Sequence, residues 1–585
     1  MMHAKGGGML SLTTLAALAA VQSPALAEKG KPALTAHSEE TGLPLTAEQQ
    51  SVSFDHAALA WEILPDSETI KGDATLSLTV KRPIERIQFD LDRNLPVSAI
   101  MIGGAPLAAE RWRNPEGQLV IDLPRTYAAG DKIAVRIVYG GTPHVAVRAP
   151  WDGGFVWAKT PGGDPWVATA VQGEGCDLFW PCFDNSLVEI PVVDLAITVP
   201  KGLSAPSNGR LMGVDTLADG RTRWRWQTHN PNNYAIALNI APYGELKADY
   251  RSRFGNTVPL SFYYLTGNEE KAKGLFAEFA PTLDFFETMI GPYPFADEKL
   301  GVAETPHLGM EHQTINAYGN GYRKSAEGYD SLFQHELAHE WFGNQLTNAD
   351  WDDMWLHEGL GTYMQPLYAE WRGGRIAYLA AMAAQRPQIA NAHPIVAGRS
   401  RTEDEVYSPE TGPGQDIYVK GSWVMHTLRG LIGDEAFFTT LRRVVYGTPD
   451  PKPGNFAPRF SSTDEFVKIA KEESGRDLGW FFDVYLRSAA LPKLVATQSG
   501  ARLNLAWQAP GGVAFAMPID IAIGGDVVSV PMADGTGSIA LPDAKAHYVL
   551  DPEGKILRQS DDVDAFQDWM KEVQAARADA AKSGS

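Results

Sequence analysis

The sequence predicts a multidomain α+β protein, in which a β-rich N-terminal domain, a mainly helical central domain and a small C-terminal β domain follow one another. Its 585 residues are too many for one ordinary hydrophobic core. Apolar residues alternate with polar ones from residue 51, change to helical spacing near residue 271, and alternate again after Pro492. We therefore predict domains at 51–245, 246–490 and 491–560, followed by a C-terminal helix and polar tail at 561–585.

The N-terminal domain is predicted from short alternating runs separated by turns rich in Gly, Pro and Asn. These runs lie at 74–80, 86–91, 133–139 and 192–199. Such spacing favours an antiparallel sandwich or saddle. Residues 28–50, which precede the first run, are predicted to form an irregular leader.

The central domain begins where the apolar spacing becomes helical. The segment 271–290 has this spacing and stops at Gly291-Pro292, which predicts a helix end. Pro366 lies inside a later helical segment, where we expect it to kink or reposition the helix. Alternating runs at 501–507, 517–523 and 527–532 predict the small C-terminal β sandwich.

Residues 1–27 have the features of a secretory signal peptide. Lys5 precedes an apolar stretch of 13 residues, and Ala25-Leu26-Ala27 offers a cleavage site. The stretch is too short for a membrane span, and no later segment is long and apolar enough to be one. We therefore expect an exported protein, periplasmic or secreted, with an uncleaved anchor as the alternative. The formal charge of -20 argues against nucleic acid or an anionic membrane as a partner.

The chain has two cysteines, Cys176 and Cys182. Two cysteines cannot form a disulfide framework or a Cys-rich metal site. Export would permit one bridge between them, but an extended strand would hold them too far apart. Free buried thiols are the other possibility, and the sequence does not decide between the two.

A metal site is predicted at H-E-L-A-H, residues 335–339. His335 and His339 are four residues apart, so on a helix both imidazoles can bind one ion. Glu358, in W-L-H-E-G after 18 intervening residues, supplies a third ligand and leaves a fourth position open, as in catalytic zinc sites. Glu336 can then act as general base towards the attacking water. We expect one Zn²⁺ per chain; the alternative of a chance motif is weakened by the third ligand.

The motifs also resemble a known family. H-E-L-A-H-E-W-F-G-N-Q-L-T at 335–347, followed by W-D-D-M-W-L-H-E-G at 351–359, is similar to the zinc signature of the gluzincin aminopeptidases, which include membrane alanyl aminopeptidase and leukotriene hydrolase. L-G-M-E-H at 308–312 falls where that family has its exopeptidase motif, usually G-A-M-E-N. The resemblance implies a thermolysin-like catalytic domain behind the N-terminal β saddle. It also implies a short form of the family, because the large helical C-terminal domain of many relatives has no counterpart here.

The resemblance assigns roles to five further residues. Glu311 and Glu174 are expected to bind the α-amino group of the substrate, and Gly309 and Met310 belong to the same substrate-binding motif. Tyr418, in I-Y-V-K-G, matches the tyrosine whose hydroxyl stabilises the oxyanion together with zinc. His357 stands where the family usually has Asn; it points about 100° away from Glu358 on a helix, so we do not expect it to bind the metal.

We therefore predict a zinc aminopeptidase acting on peptides with a free N-terminus, of unassigned oligomeric state. One alternative is an epoxide hydrolase like the bifunctional leukotriene relative. That relative has Gln in place of Glu174 and a second Tyr where this chain has Pro413. A catalytically inactive peptide-binding scaffold is another alternative, although no ligand or base is lost. An endopeptidase on the same zinc site is opposed by Glu311 and Glu174.

Overall fold

The structure, a computed structural model, describes residues 33–454 and 456–583. The predicted signal peptide at 1–27 lies outside the described residues. The leader is described from residue 33 and has irregular backbone up to one short helix, α1 (Ala47–Gln50). Thr46 caps this helix by accepting a hydrogen bond from the amide of Gln49, whose side chain accepts one in return.

Fourteen strands follow α1 in the N-terminal part of the described chain. They are β1 (Val52–Leu64), β2 (Thr69–Val80), β3 (Ile84–Asp90), β4 (Val97–Ile102), β5 (Ala105–Pro106), β6 (Trp112–Arg113), β7 (Gln118–Tyr127), β8 (Lys132–Gly141), β9 (Gly154–Lys159), β10 (Pro165–Ala170), β11 (Val192–Val199), β12 (Arg210–Thr216), β13 (Thr222–His229) and β14 (Asn239–Ile240). Each predicted alternating run lies within, or within one residue of, one of these strands.

The main sheet has eight strands in the order β12-β13-β11-β1-β2-β8-β4-β5. Its pairs are antiparallel except for β1 and β11, which run parallel. Two three-stranded sheets, β3-β7-β6 and β14-β10-β9, complete this region. Because alternate side chains of β2 are buried, one face of the sheet packs on a core that includes Trp61, Leu76 and Ile137.

The central part combines a five-stranded sheet with nine helices and a two-stranded sheet. Its elements are β15 (Tyr243–Arg251), β16 (Thr257–Leu265), α2 (Glu269–Phe276), α3 (Phe279–Met289), β17 (Leu300–Glu304), β18 (Gly309–Met310), β19 (Asn316–Tyr318), α4 (Ser331–Ala338), β20 (Leu346–Asn348), α5 (Trp355–Gln385), α6 (Glu403–Tyr407), α7 (Val419–Ile432), α8 (Asp434–Tyr446), β21 (Arg459–Ser461), α9 (Thr463–Ser474) and α10 (Gly479–Tyr485). The five-stranded sheet has the order β15-β16-β17-β19-β18, and β20 pairs with β21.

Two predictions about helices need correction. The single helix expected at 271–290 is two helices, α2 and α3, which are separated at residues 277–278. Pro366 lies within α5, but the backbone leaves helical geometry at Gly374 instead, where φ is 77° and ψ is −173°. Glycine adopts positive φ without the steric cost that other residues meet, so the break occurs at Gly374.

The C-terminal part contains two three-stranded sheets and one long helix. Its elements are β22 (Lys493–Ser499), β23 (Arg502–Gln508), β24 (Ile519–Ile523), β25 (Asp526–Val530), β26 (Thr536–Ala540), β27 (Tyr548–Leu550) and α11 (Asp561–Ser583). The sheets β22-β23-β26 and β25-β24-β27 form the predicted small sandwich. Leu503, Phe515 and Ile521 belong to the same hydrophobic cluster as the central helices, so the two regions share one core.

The multidomain α+β class predicted from the sequence is confirmed. Within residues 33–454 and 456–583, none of the helices combines the length and the apolar character required to cross a bilayer.

Candidate active site

The first two metal-ligand candidates lie at the end of α4. Asp330 begins this helix by accepting a hydrogen bond from the amide of Phe333, and His339 ends it. The Nε2 atoms of His335 and His339 lie 3.2 Å apart. Nδ1 of His339 is 2.9 Å from the carbonyl oxygen of Phe342, which can only accept. Nδ1 of His339 therefore donates to this carbonyl, which leaves Nε2 as the atom directed at a metal ion.

Glu358 comes to the two histidines from the first turn of α5. Its Oε2 lies 3.5 Å from Nε2 of His335 and 3.5 Å from Nε2 of His339. One ligand atom from each residue lies within 4.8 Å of the others. Oε2 of Glu358 is buried and accepts no hydrogen bond from the described residues. A buried carboxylate oxygen without a donor, facing two imidazoles, suits a divalent cation, and two nitrogens with one oxygen suit zinc.

His357 does not join this group, as predicted. Its Nε2 is 3.0 Å from the backbone nitrogen of Asn348 and accepts a hydrogen bond from it. Burial lowers the pKa of His357 to about 3, so the imidazole is neutral and can accept. His357 thus connects α5 to β20 and has a structural role beside the ligand Glu358.

Glu336, the predicted general base, lies beside the metal group and is 6% exposed. Burial, together with the carboxylates of Glu311 and Glu358, raises its pKa well above the ordinary value, whereas His339 opposes the shift. A Cβ added to Gly309 would overlap Oε1 of Glu336. Gly309 therefore lets the backbone of β18 approach the base, where a side chain would displace the carboxylate.

The other two residues of the exopeptidase motif, Met310 and Glu311, lie in different surroundings. Met310 is 6% exposed and packs into the hydrophobic cluster of the N-terminal part. Glu311 is 4% exposed, and its Oε1 accepts hydrogen bonds from Nε2 of Gln172 at 2.6 Å and from the hydroxyl of Tyr234 at 2.8 Å. These two donors leave Oε2 of Glu311 with no donor among the described residues.

Gln172 and Tyr234 were not predicted as site residues. Both come from the N-terminal part, and no motif in the sequence marks Tyr234. Gln172 lies two residues before Glu174 in V-Q-G-E-G, so its position in that motif was the only available signal. Together they hold the Glu311 carboxylate in one orientation across the junction of the two parts.

Glu174 follows in the same loop and is half-buried. Its Oε2 is buried and has no hydrogen-bond partner in the described part of the chain. Burial, followed by the carboxylates of Asp152 and Asp404, raises the pKa of Glu174 to about 8. The loop thus presents an uncompensated acid, which a cationic ligand would stabilise.

The cysteines that follow Glu174 form a disulfide, which settles the possibility left open by the sequence. The Cα atoms of Cys176 and Cys182 are 6.2 Å apart, and both residues are fully buried. The segment is not an extended strand, because residues Cys176–Leu178 form a 3₁₀ turn that brings the two ends together. The bridge closes the loop directly after Glu174.

Two tyrosines donate to the metal-ligand candidate Glu358. The hydroxyl of Tyr418 is 3.0 Å from Oε1 of Glu358, and the hydroxyl of Tyr407 is 3.3 Å from the same oxygen. Burial and the charge of Glu358 raise the pKa of Tyr418 well above its ordinary value, so its hydroxyl keeps its proton. Tyr407 was not predicted. The resemblance concerned the position of Pro413, five residues before Tyr418, whereas Tyr407 lies 11 residues before it.

Comparison with known proteins agrees with this geometry. Residues 301–485 match the peptidase family M1 domain. The fold is similar to a two-domain M1 zinc metallopeptidase mutant bound to L-tryptophan, with a TM-score of 0.64 and 26% identity, covering 78% of this chain and 98% of that one. The matched segment contains the metal-ligand candidates His335, His339 and Glu358, so the catalytic part of this chain resembles an M1 zinc metallopeptidase domain. An M1 zinc metallopeptidase from Deinococcus radiodurans is also similar, with a TM-score of 0.62 and 25% identity, covering 78% of this chain and 97% of that one.

Curated M1 relatives are longer than this chain. Aminopeptidase B from Rattus norvegicus is 26% identical over 402 residues, covering 64% of this chain and 59% of that protein. Aminopeptidase N from Streptomyces lividans is 25% identical over 324 residues, covering 51% of this chain and 36% of that protein. The aligned part of this chain thus spans about three fifths of the rat protein and about one third of the Streptomyces one. Zinc is the metal of the family, and the donors His335, His339 and Glu358 fit it.

Proposed function

We propose that this M1 metallopeptidase is an aminopeptidase that removes the N-terminal residue from peptides. The observation that carries the proposal is the contact between Gln172 and Glu311. It brings the loop of Glu174 from the N-terminal part against the acid beside the base Glu336. We propose that these two carboxylates, which come from different parts of the chain, together hold the free amine of the substrate beside the metal group.

Each residue of the site has a different role in peptide hydrolysis. Zinc, when bound by His335, His339 and Glu358, would supply Lewis-acid polarisation of the scissile carbonyl. Glu336 removes a proton from the attacking water and later returns it to the departing amine. Tyr418, which keeps its proton, donates a hydrogen bond to the oxyanion that develops on the carbonyl oxygen.

The two other acids select the substrate. Oε2 of Glu311, whose partner oxygen Oε1 takes both hydrogen bonds found among the described residues, and the carboxylate of Glu174 are acceptors for the α-ammonium of a peptide. Each charge-assisted hydrogen bond of this kind contributes about 1.5–3 kcal/mol. A blocked or internal amide nitrogen has no charge and leaves both carboxylates desolvated without a partner.

A panel of free and N-acetylated aminoacyl substrates tests the proposal. We expect the free substrates to be preferred in kcat/KM by a factor on the order of a hundred to ten thousand, the product of two such losses. Glu311→Gln, which keeps the size of the side chain but removes its charge, should abolish most of this preference by slowing the free substrates. Glu68→Gln, a surface change in the β1–β2 turn, serves as the control. Efficient internal cleavage of an acetylated peptide by the wild type would instead identify an endopeptidase.

We also propose that the protein is exported, on the basis of the signal-like residues 1–27. N-terminal sequencing of protein recovered from the periplasm or the medium should begin at Glu28. Recovery of the intact N-terminus from the cytoplasm would contradict this proposal.

A further inference from the structure

The leader segment, residues 33–46, is tied along the N-terminal part at several points. Near its start, Oγ1 of Thr35 donates a hydrogen bond to the carbonyl of Glu116 at 2.8 Å. Nε2 of His37 lies 2.9 Å from Oδ1 of Asp90. Further along, Nδ2 of Asn185 donates to the carbonyl of Leu43 at 2.9 Å. The leader is therefore held against the N-terminal part by specific contacts along its length.

At its middle, the leader contacts the catalytic part through Gly42. The φ of Gly42 is +73°, and an added Cβ would overlap Nε1 of Trp351 and lie 2.5 Å from its Cδ1. Trp351 is 7% exposed, seven residues before the metal-ligand candidate Glu358. Only glycine combines this backbone conformation with such a close approach to the indole.

Trp351 in turn packs against one of the two tyrosines that hold Glu358. The ring centroids of Trp351 and Tyr407 are 6.2 Å apart at 70°, an edge-to-face arrangement. The hydroxyl of Tyr407 donates to Oε1 of Glu358, and its ring lies 6.4 Å from that of Tyr418. A continuous series of contacts thus runs from Gly42 through Trp351 and Tyr407 to Glu358.

We infer that Tyr407 is a positioning residue for the metal ligand Glu358 and for Tyr418, and that the leader holds it in place through the contact of Gly42 with Trp351. The two tyrosine hydroxyls occupy Oε1 of Glu358 and so direct its Oε2 towards His335 and His339. Without Tyr407, one of these two restraints is lost and the carboxylate can rotate. Groups that orient metal ligands in this way typically change metal affinity by about 10–100-fold.

The expected change in catalysis rests on the proposed function. The expected change in zinc binding does not, because zinc release can be measured without a substrate. The variants are Tyr407→Phe, which removes one hydroxyl, and Gly42→Ala, which forces the leader away from Trp351. The matched control is Gly130→Ala. Gly130 also has positive φ, +90°, but an added Cβ meets no described atom within 4 Å. The two glycine variants therefore share the backbone penalty and differ in the contact with Trp351.

The first measurement is the rate of zinc release to a chromogenic chelator from the purified zinc-loaded protein. We expect release to be about tenfold faster in Tyr407→Phe and in Gly42→Ala, and within about twofold of wild type in Gly130→Ala. The second measurement is kcat and KM on an aminoacyl substrate. Loss of ligand orientation should lower kcat by about tenfold and change KM by less than about threefold.

Equal zinc release from Gly42→Ala and Gly130→Ala would overturn the role of the leader, and wild-type release from Tyr407→Phe would overturn that of Tyr407. If Gly42→Ala does not fold, Trp351→Phe replaces it, because it removes the pyrrole ring that Gly42 contacts. Zinc release at the wild-type rate from Trp351→Phe would then contradict the inference. If the wild type cleaves no aminoacyl substrate, the proposed function fails, while the zinc-release comparison still decides the role of the leader.

Discussion

The hydroxyl of Tyr418 donates a hydrogen bond to Oε1 of Glu358 across 3.0 Å, although 60 residues separate them in the sequence. The same hydroxyl must leave this oxygen, or share its hydrogen bond, when an oxyanion develops nearby. We expect Tyr418→Phe to raise the transition-state free energy by about 2–4 kcal/mol, seen as a lower kcat with KM changed much less. Steady-state kinetics on an aminoacyl substrate measures both. An unchanged kcat with a raised KM would instead make Tyr418 a residue of the binding pocket.

Glu336→Gln separates proton transfer from metal binding. The substitution removes the base but leaves His335, His339 and Glu358 in place, so zinc content should remain near one per chain. The turnover number should fall by several orders of magnitude, because the water and the leaving amine lose their proton carrier. Elemental analysis and steady-state kinetics on the same sample provide the check. Retention of near-normal turnover would exclude Glu336 as the base.

The pKa of Glu174 predicts a pH dependence. Burial and the carboxylates of Asp152 and Asp404 raise this pKa to about 8, so Glu174 gains its charge only as the pH rises through that value. Capture of an ammonium needs the charged form, and the ammonium of the substrate itself loses its proton at about pH 7.7–8.0. The pH profile of kcat/KM should therefore be bell-shaped. In Glu174→Gln, the rise of kcat/KM with pH should disappear, whereas its fall at higher pH should remain. If the variant and the wild type have the same pH profile, the rise does not come from Glu174.

The disulfide between Cys176 and Cys182 predicts a stability effect. It joins residues six apart in the sequence, and closing a loop of that size stabilises a protein by about 2 kcal/mol in the chain-entropy description. The double substitution of both cysteines by serine should lower the free energy of unfolding by at least that amount, because two hydroxyls also replace buried sulfurs. Denaturant unfolding in oxidising buffer measures the change. Equal stability of the variant and the wild type would show that the bridge does not form in the isolated protein.

The same double substitution should also weaken substrate capture, since the bridge fixes the segment that directly follows Glu174. We expect a higher KM for free aminoacyl substrates and little change in zinc content, because the metal ligands lie on α4 and α5. Zinc loss from this variant would show that the loop supports the metal group as well.

Several features were predictable because their causes are local. The four-residue spacing of His335 and His339 places both imidazoles on one helix face whatever the rest of the fold does. Strand positions followed from alternation, which reflects the two faces of a pleated sheet. The assignment of Glu174, Glu311 and Tyr418 required a resemblance to a family, because an acid or a tyrosine in a loop has no local pattern that marks its role.

Local patterns misplaced one feature and left another undecided, because the conformation of the surrounding chain decided both. The helix expected to bend at Pro366 continues through it, and the backbone departs from helical geometry at Gly374, where positive φ costs little. The cysteines, too far apart for a bridge in a strand, are joined because their segment turns.

The sequence by itself determined the fold class through the periodicity of its apolar residues. It also predicted the metal group and Glu336 as the candidate general base, since these depend on spacing along one or two helices. Only the tertiary structure decided which residues orient that group. Gln172 and Tyr234 reach Glu311 from 139 and 77 residues away, and Tyr407 reaches Glu358 from 49 residues away. Gly42 meets Trp351 across an even longer stretch of chain. Contacts of this length arise from the packing of separate sheets and helices on one another, and no periodicity in the amino-acid sequence records them.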